Sequence, residues 1–168
     1  MKRNAGFTLV ELLITMTVMV ILLVLVVVSL RSNQANARDE ERKTDIGVIA
    51  QQLENYYEAG TPTTDPGQYP GTADVNTEAE VKALLPDLNS KVLRAPDVAD
   101  SSAMSFTVAT SAAAQTPDTS TYIYQPLKAD GSLCTAATWG VTNECREFII
   151  YYALEATSGT QTIKSKHQ

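Results

Sequence analysis

The chain has 168 residues and a formal net charge of −6, which allows one modest globular domain beyond a membrane segment. From Gly60 onward 7 Lys and Arg stand against 12 Asp and Glu with no basic cluster. No nucleic-acid partner is therefore expected, since phosphate neutralisation drives that affinity. One His and two Cys exclude a four-ligand His/Cys metal site within one chain. No set of nucleophile, base and metal ligands stands out, so neither catalysis nor a cofactor is expected.

The mean hydropathy near zero hides a split chain. Residues 6–30, GFTLVELLITMTVMVILLVLVVVSL, form an apolar run that holds one ionisable residue, Glu11. Roughly 20 apolar residues span a bilayer, and an acid within such a span costs about 2.5–3.5 kcal/mol on insertion scales. Glu11 should thus have a partner or a task. The leader, MKRNAG, carries Lys2 and Arg3, which favour a cytoplasmic N-terminus. An ordinary secretory signal is cut after its apolar core. Here no small-residue site follows Leu30, where the chain turns to RSNQANARDEERK. The leader therefore ends before the apolar core, and the core stays in the mature chain.

The residues Gly6-Phe7-Thr8-Leu9-Val10-Glu11, behind a basic leader and ahead of a long apolar run, resemble the signal of the type IV pilin and type II secretion pseudopilin superfamily. The resemblance covers roughly the first 30 residues. It implies cleavage between Gly6 and Phe7 by a membrane prepilin peptidase and N-methylation of Phe7. Glu11 then stands fifth in the mature chain, at the family's acidic position. Losing Lys2 and Arg3 moves the charge from −6 to about −8. The plainer alternative is a membrane anchor with an incidental Glu.

No Gly or Pro interrupts Phe7 to Asn33, so helix continues past the apolar run. Residues 31–45 are charged, with pairs such as Arg38 and Glu41 three apart, and read as a solvated helix face that neighbouring stems could share. From Ile46 the residues Ile46, Ile49, Ala50, Leu53, Tyr56 and Tyr57 make one apolar stripe. Gly60 and Pro62 stop the helix. A rod from Phe7 to Ala59 would be about 80 Å long, with Gly47 a soft point.

Residues 61–76, with three Pro and two Gly, read as a loop outside the core. Thr77 and Glu80 have capping-box spacing for a short helix to about Leu85. Residues 100–121, rich in Ser, Thr and Ala, read as a low-complexity surface segment; Met104, Phe106 and Val108 alternate as in a short strand, and helix through Ala114 fits equally well. Strands are expected at Tyr122–Tyr124, at Arg146–Leu154 with Phe148, Ile150, Tyr152 and Leu154 on one face, and at Thr160–Lys164. Asp130-Gly131 marks a turn. Outside the cytoplasm Cys134 and Cys145 would pair as a disulfide, worth roughly 3 kcal/mol by loop closure. By resemblance such a loop fits type IV pilins better than major pseudopilins, which hold calcium there. Asp97, Asp100 and Asp130 are too scattered for a good calcium set. His167 reads as part of a frayed end.

The expected fold is α+β: a long N-terminal helix packed against a C-terminal antiparallel sheet of three or four strands. The expected organisation is a leader (1–6), a transmembrane and filament-core helix (7–30), a helical stem (31–60) and a head (61–168). The resemblance implies a homo-oligomeric helical filament drawn from the membrane by an assembly platform and an ATPase. Its subunit would be a single-pass precursor in the cytoplasmic membrane and then part of a surface pilus. A secretion pseudopilin and a ligand-binding tip pilin are the alternatives.

Overall fold

In a computed structural model that describes residues 8–60, 66–99, 102–135 and 144–167, helix α1 runs Leu9–Ala59. The soft point at Gly47 does not interrupt it. Gly60 ends it as expected: at φ 64° it takes the left-handed conformation open to glycine, and its N–H donates to the Tyr56 carbonyl at 2.8 Å. The chain forms two units, Met1–Ala37 and Arg38–Gln168. The described part of the first is helix alone, starting behind Thr8.

In the second unit the stripe Ile46, Ile49, Ala50, Leu53 and Tyr56 is buried against the sheet residues Phe148, Ile150 and Tyr152. The sheet has four strands in the order β1-β2-β3-β4: Phe106–Val108, Tyr122–Lys128, Cys145–Ala153 and Thr160–Lys164. β2–β3 and β3–β4 are antiparallel, with Tyr124 opposite Ile150 and Ile150 opposite Ile163. The expected α+β layout is present, with one difference: β1 pairs parallel to β2, so the sheet is mixed. A parallel pair needs a crossover of a dozen or more residues. Residues 109–121 supply it.

From residue 110 on, that crossover lies at the surface, as the reading of 100–121 expects, and it also covers a polar pair on the sheet. Gln125, on the face of β2 away from α1, is 1% exposed. Its amide donates to the carbonyls of Ser111 and Ala113, and it accepts from the Tyr151 hydroxyl at 3.0 Å. The crossover thus seals a polar pair on the sheet's second face, where the strand pattern alone shows only alternation.

Two segments are less peripheral than their composition suggests. Tyr69, in the Pro- and Gly-rich loop, is fully buried and packs edge-on to Phe148 at 4.9 Å, so the loop does feed the core. The chain end is pinned, not frayed. Glu54, buried on α1, accepts from the Tyr69 hydroxyl (2.9 Å) and from the Lys166 amide (2.8 Å), while His167 stacks on Tyr57 at 4.3 Å. Helix α2, Glu78–Leu84, has the capping box read from Thr77 and Glu80: each side chain accepts from the other's backbone N–H.

Candidate functional site

The first unit presents an apolar helix with no covering. Leu9, Met16, Met19, Leu23 and Val28 are each more than 60% exposed, and their neighbours around the helix are nearly as bare. A helix apolar on every side belongs in lipid or among other helices. The described helix is long and apolar enough to cross a membrane. Two of its hydroxyls are satisfied within the helix: Thr15 and Thr17 donate to the carbonyls of Leu12 and Ile14 at 2.9 and 2.8 Å. Thr8 closes the start, its Oγ1 accepting the Glu11 amide and its carbonyl the Leu12 amide, both at 3.3 Å. Thr8 was not singled out in the sequence, although a Thr just ahead of an apolar helix is an ordinary cap.

Glu11 sits in the first turn, where the helix dipole favours a negative charge. Among the described residues its carboxylate has no ion pair. Gly6 and Phe7, the expected cleavage and methylation residues, lie outside the described residues.

A second constellation lies where the second unit begins. Arg42 is fully buried, and its guanidinium meets three carboxylates and a backbone carbonyl. Its Nη1 reaches Asp39 (3.0 Å) and Glu155 (2.7 Å), its Nη2 reaches Asp97 (3.1 Å), and its Nε donates to the Thr119 carbonyl (2.9 Å). Arg38 forks onto the same Glu155 carboxylate. Asp39 also accepts the amides of Glu155 and Ala156, each at 2.8 Å. Burial works against ionisation of Asp39, but those amides and Arg42 hold its pKa below the ordinary value. The hydrogen bond from Arg38 does most to hold Glu155 at about 2, with burial opposing and Arg42 adding to it. The solvated-face reading of residues 31–45 therefore fails for Asp39 and Arg42, while Arg38 stays half-buried.

A family model described as the prokaryotic N-terminal methylation motif matches residues 1–27. The chain carries a prepilin-type signal. Comparison with curated proteins and with solved structures finds no match. The matched stretch is residues 1–27 of 168, so it speaks for the signal and not for the head. The prepilin-type signal supports a type IV pilin or pseudopilin, and it points to a structural subunit and not an enzyme. It implies processing by a prepilin peptidase and, with the exposed apolar helix, fits a membrane-anchored precursor. Thr8 and Glu11 fall within the matched residues.

In the head that follows the signal, the sulfurs of Cys134 and Cys145 are bonded, with Cα atoms 5.5 Å apart and both residues fully buried. The bridge joins the end of the Asp130-Gly131 hairpin to β3. Residues 69–73 lie alongside it, with the amides of Tyr69, Thr72 and Ala73 donating to Cys145, Cys134 and Thr135. Converting both cysteines to Ser should cost about 3 kcal/mol of head stability. Chemical unfolding of the full chain in detergent, with and without reductant, checks this. The reductant should shift the native midpoint and leave that of the double variant in place. Of the calcium candidates, Asp97 is engaged by Arg42, Asp130 accepts from the Ser132 amide and hydroxyl inside its own turn, and Asp100 lies outside the described residues.

Proposed function

We propose that the chain is a structural subunit of a type IV pilus. Residues 1–6 are removed, Phe7 becomes a methylated N-terminus, residues 7–30 pack with copies of themselves in a helical array, residues 31–60 form the stem, and residues 61–168 form the head. An assembly platform and its ATPase draw the stored precursor from the membrane. One observation carries the proposal: the methylation motif of residues 1–27 takes in a helix bare and apolar on all sides, with one ionisable residue, Glu11, among residues 8–30. Packing of such helices removes apolar surface at roughly 25 cal/mol per Å² once they leave lipid contact. The buried Cys134–Cys145 bridge, and the engagement of Asp97 and Asp130 by other side chains, favour the pilus over a calcium-holding secretion pseudopilin.

Immunogold imaging of shear-released filaments with antibody to the head tests this reading. Label along the whole filament is expected. Label confined to the tip would replace it with a minor tip pilin, and label on short envelope-bound fibres with a secretion pseudopilin.

A further inference from the structure

We propose that Arg38, Asp39, Arg42, Asp97 and Glu155 form an acid-released clasp that locks the β3–β4 turn onto α1 and lets it go while the core below stays packed. Residues 155–160 are exposed, and the attachments of Glu155 and Ala156 to α1 all run through this cluster: the Glu155 carboxylate to Arg38 and Arg42, and the two amides to Asp39. The buried guanidinium of Arg42 ties in two more segments through Asp97 and Thr119. Three carboxylates face two guanidinium groups, so the first proton taken up neutralises the cluster and further ones leave Arg42 buried with too little counter-charge.

Other titratable groups near the cluster, among the described residues, lie on α1, β2 and β3. Lys43 on α1 is paired with Glu40 and feels Asp39. Tyr122 from β2 and Tyr152 from β3 are pushed above ordinary phenol by burial, so both stay neutral through the acid range. Asp45, one turn on along α1, runs the other way: burial and Glu41 raise it to about 6, so its protonation favours the folded state as pH falls from about 6 toward its ordinary value. The core around Ile46 thus gains from the same protons that the clasp loses by. For Glu155 and Asp39 the folded pKa values lie below the ordinary ones. Their contribution is complete above the ordinary carboxylate range and is lost as pH falls below it, for Glu155 toward about 2.

Hydrogen exchange of the full chain in detergent micelles, read by NMR and corrected for intrinsic rates, tests the clasp. Between about pH 6.5 and pH 3 the protection of the Glu155 and Ala156 amides should fall roughly tenfold or more, while that of Ile150 and Tyr152 holds within about twofold. Asp39→Asn should lower protection at the two turn amides at neutral pH and flatten their pH response. Glu155→Gln should flatten it while leaving the Asp39 acceptors in place. Unchanged protection at low pH, or a parallel loss at Ile150 and Tyr152, would overturn the proposal.

Discussion

Glu11→Ala is expected to give processed, membrane-resident subunits that assemble poorly, with a several-fold or greater loss of shear-released filament against unchanged membrane-bound subunit. An acid in an apolar span costs about 2.5–3.5 kcal/mol on insertion scales, and Glu11 lowers this by sitting in the first turn, near the helix's positive end. A precursor in the membrane keeps that end within reach of water. In a packed array of helices water is farther away, and a buried charge then needs a counter-charge. The methylated amine of Phe7 from a neighbouring subunit is the nearest candidate that the proposed processing creates. Glu11→Gln should fall between, since it keeps a hydrogen-bonding group without the charge. Normal filament yield from Glu11→Ala would refute the charge-pairing step even with the subunit role intact.

Arg42→Ala should destabilise the head by about 3–5 kcal/mol, a large share of the roughly 5–15 kcal/mol that holds a typical domain together. The substitution removes four donor contacts at once and leaves Asp39, Asp97 and Glu155 facing one another with only Arg38 nearby. Arg42→Lys should recover only part of the loss, because an ammonium cannot reproduce the planar fork that meets three carboxylates and a carbonyl together. Thermal unfolding of the full chain in detergent, followed by near-ultraviolet circular dichroism of the buried tyrosines, provides the readout. A loss below about 1 kcal/mol would mean that the cluster behaves like an exposed surface pair.

The parts of the fold that follow from local rules are present in the sequence. The stripe from Ile46 to Tyr56, the capping box of Thr77 and Glu80, the Gly60 stop and the alternation through Phe148, Ile150 and Tyr152 each depend on near neighbours, and each is in place. The parts that were hidden depend on partners far along the chain. Arg42 reads as a solvated charge until Glu155 and Asp97 arrive beside it, 113 and 55 residues away. A signal was nevertheless available: Asp39 and Arg42 continue the three- and four-residue steps of the apolar stripe, running 39, 42, 46, 49, 53, 56. Charges on a buried stripe ask for partners. The same holds for Tyr69, whose loop composition masks a core side chain, and for the parallel β1, whose pairing is set by the thirteen-residue crossover and not by its own residues. Within the signal region the position of Glu11 is legible because it is the one ionisable residue among residues 8–30.

The central claim is that the chain is cut and methylated at the end of its signal and kept as a filament subunit. Intact-mass and N-terminal analysis of the protein recovered from sheared filaments tests it most directly. The account predicts a chain that begins at Phe7 and carries one added methyl group on its amine, with Gly6→Val retaining the full-length precursor. A mature chain that begins at Met1, or one cut after Leu30, would contradict it.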